Sequence, residues 1–373
     1  MLHDQSPLPR ALFKQAPEDF VVEEIPAYQP SGAGEHLYVT FKKRLLTTDD
    51  AVRLLARALG SDPRQAGWAG QKDKVAVTTQ AVTIAVPIKV DPEPLLAKLD
   101  DDRIQVLSVA RHNGKLKPGH LHGNRFDIVL RGLGEADGAA VAESLGRAAE
   151  GVPNAFGPQR FGRDGDSPDR ALAWLAGTAR PPKDRRDQRM LFSALQSLLF
   201  NELLAARVAD DTWATVLPGD LAKKHDTGGL FIVPAAGPEL DDARERARAK
   251  TLSATGPMFG VSMRWPEGEA LERERAVLAA RGLTPESFRA ARAQGEGTRR
   301  TLRIVPEDVT VERAADTLRV RFVLPKGAYA TTVLARACAL EEKRNAEVRP
   351  LEGNPTAGPE GADPPEADPV TEA

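Results

Sequence analysis

The chain has 373 residues, of which 41% are hydrophobic, and it contains one cysteine. This length is sufficient for more than one domain, and a single cysteine excludes both an intramolecular disulfide and a zinc site built from several thiolates. No run of about 18 uninterrupted apolar residues is present, and the start, MLHDQSPLPRALFKQ, has no apolar signal segment, so we expect a cytoplasmic protein without a membrane partner.

The charge is unevenly distributed along the chain. The formal net charge is −2, but residues 346–373 carry seven acidic residues and one arginine, so the residues before them sum to +4. This last segment is rich in proline and poor in apolar residues, which predicts a disordered acidic tail. The mildly basic body is compatible with a nucleic-acid partner but does not identify one.

Residues 15–131 show mainly the two-residue alternation that is typical of β-strands. The predicted strands are FVVEEI at 20–25, HLYVTF at 36–41, AVTIAV at 81–86 and RFDIVL at 125–130. One helix interrupts them, because Thr47 and Asp50 form a predicted capping box in front of an apolar stripe made by Val52, Leu55 and Leu59.

After GPQRFG at 157–162 the apolar spacing changes towards the helical period. Helices are predicted at 169–177, 189–208, 239–250, 269–282 and 285–294, and strands return at 309–313 and 318–325. A sheet-rich start, a helix-rich middle and a sheet-rich end indicate that the middle is an insertion into a domain built from both ends.

The first candidate site is GQKDKVAVTTQ at 70–80, in which Asp73 lies between Lys72 and Lys74. Neighbouring cations favour the ionised form of a carboxylate, which can then act as a nucleophile or a base. The same triplet is also common in solvated surface turns, where it has no chemical role.

The second candidate is ARHNGKLKPGHLHGNRF at 110–126, which resembles a basic hairpin that could lie along a phosphate backbone. Its basic residues are Arg111, Lys115, Lys117 and Arg125. An ordinary solvated turn is the alternative. His120 and His122 lack a third ligand at a suitable spacing, so no metal site is predicted.

Two further segments have more than one interpretation. In VPNAFGPQRFGRDGDSP at 152–168, Asn154 and Arg160 accompany Phe156 and Phe161, a mixture that suits an unpaired base and its phosphate or, alternatively, a packed turn. In LPKGAYATTVLARA at 324–337 a strand leads through a glycine turn into a helix whose start could bind phosphate or simply pack the core.

Several well-known motifs are missing from the sequence. It has no Walker A loop and no GxGxxG, HExxH, GxSxG or CxxC pattern. ATP, dinucleotide, metalloprotease and serine-hydrolase chemistries therefore have no local support, and a reaction centred on an acid, without a cofactor, remains.

Taken together, the motifs resemble those of tRNA pseudouridine synthases of the TruD type. The pattern GxKDxxAxTxQ is met at residues 70–80 and NxFGxQRFG at residues 154–162. Shorter similarities are FVVEE at 20–24, GNxF at 123–126, SALQSLLFN at 193–201, TGPMFG at 255–260 and GxYAT at 327–331. They follow the order of the family and cover about residues 15–336.

The resemblance implies an α/β (α+β) fold in which a pseudouridine synthase catalytic domain has a central mixed or antiparallel sheet. Residues 1–153 and 302–345 would form this discontinuous domain, residues 154–301 a helix-rich inserted TRUD domain, and residues 346–373 the tail. It also implies isomerisation of uridine 13 of tRNA to pseudouridine. We expect a monomer that uses neither a cofactor nor a metal.

The resemblance further implies the roles of individual residues. Asp73 is the essential carboxylate, held ionised and oriented by Lys72 or Arg160, and we expect it to be buried beside Phe126 and Arg160. Phe126 stacks on a flipped-out uracil with Asn124 as its polar neighbour. The residues expected to bind substrate are Lys72, Lys74, Asn124, Phe126, Asn154, Arg160, Phe20 and Glu24.

Two other functions remain open at this point. A noncatalytic RNA-binding protein on the same scaffold would retain tRNA without releasing hydrogen from C5 of uridine. An acid-dependent enzyme that cuts RNA would shorten the chain, whereas isomerisation leaves its length unchanged. Contacts between the basic segment and phosphates predict that affinity falls with salt.

Overall fold

The computed structural model describes residues 8–162 and 164–342, which form two compact units. In these ranges the strands are β1 Arg10–Phe13, β2 Phe20–Pro26, β3 His36–Arg44, β4 Gly67–Trp68, β5 Val77–Ala85, β6 Ile104–His112, β7 Leu121–Arg131, β8 Val152–Pro153, β9 Leu221–Lys224, β10 Leu230–Ile232, β11 Leu252–Met258, β12 Thr298–Thr301, β13 Arg303–Ile304, β14 Glu307–Ala314, β15 Thr317–Pro325 and β16 Ala339–Glu342. The α-helices are α1 Thr48–Ala58, α2 Glu93–Leu96, α3 Glu135–Gly146, α4 Ser167–Leu175, α5 Arg185–Ala209, α6 Pro238–Arg248, α7 Gly268–Ala280 and α8 Ala330–Leu334. Short 3₁₀ helices span Pro17–Asp19, Pro63–Gln65, Arg147–Glu150, Pro158–Phe161 and Pro285–Gln294.

Among the described residues, the first unit contains residues 8–150 and 306–342. Its large sheet has the strand order β14-β15-β7-β2-β5-β3-β6, and β1, β16 and β4 are attached to it at the side. β2 is parallel to β5 and β1 to β16, whereas the pairs of β7 with β2 and β15, and of β3 with β5 and β6, are antiparallel. The predicted α/β class with a mixed central sheet is therefore confirmed.

β2 and β3 follow the predicted alternation over most of their length, whereas β5 is buried at nearly every position. On β3, Leu37, Val39 and Phe41 are buried and pack with Val52 and Leu55 of α1 in one apolar cluster. Burial of such side chains stabilises the fold by about 1.5–3 kcal/mol each. The strands predicted at 20–25, 36–41, 81–86 and 125–130 coincide with β2, β3, β5 and β7, and the predicted stripe of α1 is confirmed.

The predicted capping box at α1 is confirmed only in part. Thr47 is the N-cap, and its Oγ1 accepts a hydrogen bond from the amide of Asp50 at 3.1 Å. In a complete capping box the carboxylate of Asp50 would accept a hydrogen bond from the amide of Thr47. It accepts instead from the Thr47 hydroxyl at 2.6 Å and from Arg53 at 3.1 Å. Aspartate is one methylene shorter than the glutamate of the usual box, which explains the difference.

Residues 110–126 do not form the predicted hairpin. They connect β6, at one end of the strand order, to β7, and the connection passes β3, β5 and β2. β6 pairs with β3, whereas β7 pairs with β2 and β15. Two strands flanking a Gly-rich segment suggest a hairpin locally, but long-range packing selects the pairing partners.

The second unit spans Gly151–Val305. The helices predicted there correspond to α4, α5, α6 and α7, and the segment predicted at 285–294 is a 3₁₀ helix. A four-stranded sheet in the order β10-β9-β11-β12 was not predicted. β9, β10 and β12 have only three or four residues, and β12 reads TRRT, so they show no apolar alternation. β11 has seven residues, but it contains Gly256 and Pro257, which are uncommon inside strands.

The two units meet between Glu150 and Gly151 and again between Val305 and Pro306. The predicted boundaries, after residues 153 and 301, lie three or four residues from these positions. The acidic tail predicted at 346–373 lies outside the described residues. Within residues 8–162 and 164–342, no helix is both long and apolar enough to cross a membrane.

Candidate active site

The loop that carries Asp73 leads from β4 into β5, and these two strands pair with each other. The loop is fastened to the start of α1. The amide of Lys72 donates to Oγ1 of Thr48 at 2.9 Å, and Nε2 of Gln71 donates to Oδ1 of Asp49 at 3.0 Å. These contacts fix the main chain of the loop just before the carboxylate.

The carboxylate of Asp73 forms an ion pair with Lys14, a residue that the sequence analysis did not select. Nζ of Lys14 donates to Oδ2 of Asp73 at 2.6 Å. Lys14 follows β1 directly, in a left-handed conformation with φ of 53°, and its Nζ lies 4.3 Å from the centroid of the Phe20 ring. No local pattern around Lys14 distinguishes it from a surface lysine, because its partner is distant in sequence.

Asp73 is more exposed than predicted. Its side chain is 53% exposed, whereas that of Lys14 is 14% exposed. The expectation of a buried carboxylate is therefore wrong, because the loop anchors hold the main chain and leave the side chain at the surface. Arg160 belongs to the second unit.

Lys72 is directed to Glu24 and not to Asp73, which corrects the predicted orienting role of Lys72. Nζ of Lys72 donates to Oε2 of Glu24 at 2.6 Å, and the two side chains are 7% and 2% exposed. Oε1 of Glu24 also accepts from the amide of Ala81 at 3.4 Å. This buried pair anchors the loop to β2, which is a different role from the predicted substrate contact. Lys74, the other flanking lysine, is half-buried.

Aromatic side chains form a layer beside the ion pair. The ring of Phe126 packs between Phe20 and Phe322, with centroid distances of 6.0 and 5.5 Å. β2 and β15 pair with β7 on either side, so Val22 and Phe322 are the direct neighbours of Phe126 in register. Phe126 is 7% exposed, so only a small part of the predicted stacking ring is accessible.

Asn124 lies two residues before Phe126 on β7, opposite Glu24 of β2. Its Oδ1 is buried and has no hydrogen-bond partner in the part of the chain that the structure describes. A buried acceptor without a partner costs about 1–3 kcal/mol, and such groups are rare in native proteins. The unpaired Oδ1 therefore sets Asn124 apart from the paired polar groups around it.

The two predicted binding residues of the second unit differ in what they contact there. Asn154 is buried, its Nδ2 donates to the carbonyl of Thr301 at 2.8 Å, and its Oδ1 accepts from Arg300 at 2.5 Å. This geometry favours a structural role for Asn154. The guanidinium of Arg160 donates to Oγ of Ser193 at 2.7 Å and of Ser197 at 3.2 Å.

The basic segment after β6 contacts the loop of Asp73 through its main chain. The amide of Gly119 donates to the carbonyl of Ala69 at 2.8 Å. Lys117 and Lys326 are exposed, and Nζ of Lys326 donates to the carbonyl of Gly119 at 3.3 Å.

The guanidinium of Arg111 is already occupied by main-chain contacts, because it donates to the carbonyls of residues 86, 87, 88 and 90. The expected phosphate contact is therefore contradicted for Arg111, and it stays a prediction for the exposed Lys115, Lys117 and Arg125.

Two further segments that the sequence analysis considered make contacts within the fold. Oη of Tyr28 and Nδ1 of His120 form a hydrogen bond of 2.7 Å, and burial lowers the pKa of His120. In residues 8–162 and 164–342, no group of three or more His, Cys, Asp or Glu side chains is placed to hold a metal ion. α8, predicted as a phosphate-binding start or a core helix, has five residues and buries Val333 and Leu334.

The sequence is similar to known proteins along most of its length. The profile of the family tRNA pseudouridine synthase D (TruD) matches residues 7–167 and 183–337. A tRNA pseudouridine synthase D of Anaeromyxobacter sp. strain Fw109-5 is 47% identical over 326 residues, covering 86% of this chain and 90% of the relative. Another, from Thermus thermophilus, is 41% identical over 342 residues and 90% of each chain.

The fold is also similar to a crystal structure from Methanosarcina mazei, that of a candidate tRNA pseudouridine synthase D. The TM-score is 0.70 with 23% sequence identity, over 90% of this chain and 94% of the other. At this identity the similarity concerns the fold alone.

Proposed function

The chain belongs to the tRNA pseudouridine synthase D family and is a pseudouridine synthase, an isomerase; on this premise we propose that it converts uridine 13 of tRNA to pseudouridine, without a cofactor and with Asp73 as the essential carboxylate. One observation carries the proposal. Oδ2 of the exposed Asp73 carboxylate is held at 2.6 Å by the largely buried ammonium of Lys14. The carboxylate is thus both accessible to an RNA and fixed in direction.

The chemistry of the isomerisation matches a single oriented acid. The bond between N1 of uracil and C1′ of ribose breaks, the base rotates, and C5 bonds to C1′. C5 releases a proton and N1 takes one up, so the reaction is balanced without an oxidant or a reductant. Asp73 acts either as a nucleophile or as the base that removes a sugar proton.

The geometry of the ion pair leaves one oxygen for this work. Oδ2 of Asp73 is bound by Lys14, and in the described part of the chain no hydrogen bond is made by Oδ1. An orientation fixed before the substrate arrives lowers the entropic part of the barrier. The contact with Lys14 therefore supports either catalytic route.

The target base is proposed to bind beside the aromatic layer. Unstacking a base from an RNA helix costs a few kcal/mol, and a flipped base regains contact by packing on a ring. Phe20 and Phe126 lie next to Lys14 and are 5% and 7% exposed, so the base would contact the parts of these rings that remain accessible. Oδ1 of Asn124 is buried and has no partner in the described chain; with the side chain turned towards the base it would accept a hydrogen bond from an N–H of uracil.

The proposal is tested by mapping pseudouridine in tRNA that lacks the modification. Purified protein is incubated with an unmodified transcript, and pseudouridine is located by carbodiimide labelling and primer extension. Modification at position 13, with a transcript of unchanged length on a denaturing gel, supports the proposal. A signal at another position would refute the assigned target, and a shortened transcript would indicate cleavage.

A further inference from the structure

Lys43 is a fully buried lysine in a row of apolar side chains. It lies on β3, where Leu37, Val39 and Phe41 point to the same face and belong to the apolar core. The side chain of Lys43 has an exposure of 0%. Lysine is almost never fully buried unless its ammonium is paired, so this position calls for a specific explanation.

The ammonium of Lys43 binds main-chain oxygens and not a carboxylate. Nζ donates to the carbonyl of Leu46 at 2.7 Å and to the carbonyl of Asp73 at 2.8 Å. A third carbonyl, that of Lys72, lies at 3.5 Å, which is a weak contact. The ammonium thus joins the end of β3 to the carbonyl of Leu46 and to the main chain of Asp73, with a weaker third contact at Lys72.

Stability alone does not account for this arrangement. Removing an ammonium from water is costly, and no oppositely charged side chain repays the cost by direct contact with Nζ among the described residues. Burial lowers the pKa of Lys43 to about 8, with the charge of Asp73 opposing the shift and that of Lys72 adding to it. An apolar side chain like those at residues 37, 39 and 41 would fill the core at lower cost.

We propose that Lys43 is a positioning residue, which fixes the main chain of the Asp73 loop from beneath and thereby directs the Asp73 carboxylate towards Lys14 and the substrate. The inference rests on the proposed role of Asp73. Lys43 itself does not touch the RNA, since its ammonium is covered by the loop that it holds. It is the counterpart of the anchors from Thr48 and Glu24, which fasten the same loop at Lys72.

The hold of Lys43 on the Asp73 loop is tested first without reference to catalysis, by hydrogen exchange of the RNA-free protein. Lys43→Met keeps the apolar stem and removes the ammonium, and Lys42→Met is the matched control because Lys42 is exposed on the opposite face of β3. We expect amides of residues 69–76 to exchange at least about tenfold faster in Lys43→Met only. Unchanged exchange in this loop would overturn the inference, as would an equal acceleration throughout the first unit.

The second experiment measures two quantities. One is the single-turnover release of tritium from tRNA labelled at C5 of uridine, the atom that loses its hydrogen in the reaction, and the other is the affinity for tRNA. A displacement of about 1 Å at a reacting group can lower a rate about 100-fold, so we expect a loss of that order in Lys43→Met with tRNA Kd unchanged. An unchanged rate, or a loss confined to Kd, would overturn the positioning role. If Lys43→Met does not fold, Lys43→Gln replaces it; its donors lie one bond closer to the main chain than Nζ, so we expect changes of the same sign, confined to the same loop, and smaller in size. If the unsubstituted protein released no tritium, the proposed function would be refuted. The hydrogen-exchange experiment would still test whether Lys43 holds the loop.

Discussion

Nζ of Lys14 lies 2.6 Å from Oδ2 of Asp73, although the two residues are 59 positions apart in the chain. The lysine is the more buried partner, and it also covers the Phe20 ring at 4.3 Å from the centroid. The pair therefore connects the exposed acid to the aromatic layer. This link gives Lys14 a role that is distinct from that of the lysines flanking Asp73.

Replacing Lys14 tests whether the ion pair orients the acid. We expect Lys14→Met to lower the single-turnover rate of pseudouridine formation by roughly 10- to 100-fold, because the carboxylate loses its fixed direction. Lys98→Met, which removes an exposed lysine of the same unit, is the control and should keep the full rate. A Lys14→Met protein that is folded and as fast as the control would contradict the assigned role.

The buried pair of Lys72 and Glu24 predicts a stability effect. Removing one partner leaves a buried charge without compensation, which typically destabilises a protein by about 3–5 kcal/mol. We therefore expect Glu24→Leu and Lys72→Met each to lower the thermal unfolding temperature. The double variant Glu24→Leu with Lys72→Met should recover stability but not activity, because the loop anchor is lost. Additive destabilisation in the double variant would show that the two side chains do not act as a pair.

Asn124 and Asn154 offer a matched comparison of two asparagines. Oδ1 of Asn124 has no partner in the described chain, whereas the amide of Asn154 is bonded on both sides. Asn124→Ala should thus leave the unfolding temperature nearly unchanged and lower the single-turnover rate at least about tenfold. Asn154→Ala should lower the unfolding temperature, since it leaves buried partners unpaired. The opposite pattern would exclude Asn124 from the uracil site.

The salt dependence of tRNA binding distinguishes the exposed lysines from Arg111. Each phosphate contact contributes about one unit to the slope of log K against log salt concentration. The double variant Lys117→Ala with Lys326→Ala should reduce the slope by up to about two, measured by filter binding. Arg111→Ala should leave it unchanged, because its guanidinium is held by main-chain carbonyls. A reduced slope for Arg111→Ala would restore the phosphate contact first expected for it.

Much of the fold was accessible from local patterns in the sequence. The strands around FVVEEI and HLYVTF and the helix after Thr47 follow from alternation and capping, which depend on neighbouring residues only. The course of residues 110–126 across the sheet was not accessible, because strand pairing is decided by contacts between distant segments. The same reason applies to Lys14, whose role is defined by a partner on another loop.

Lys43 is a different case, because the sequence does contain a signal for it. In HLYVTFKKR the inward positions are residues 37, 39 and 41, and the next inward position is Lys43. A lysine at the inward register of an otherwise apolar row indicates a buried ammonium with a specific partner. Alternation therefore predicts the burial of Lys43, but not that its partners are the carbonyls of the Asp73 loop.

The most direct test of the central claim is single-turnover release of tritium from tRNA labelled at C5 of uridine, with the unsubstituted protein, Asp73→Asn and the surface control Asp102→Asn. Asp73→Asn keeps the size of the side chain and removes the charge. We predict that it binds tRNA with an unchanged Kd and releases no tritium, whereas Asp102→Asn releases it at the full rate. Release by Asp73→Asn at an appreciable fraction of that rate would contradict the assignment of Asp73 as the essential carboxylate.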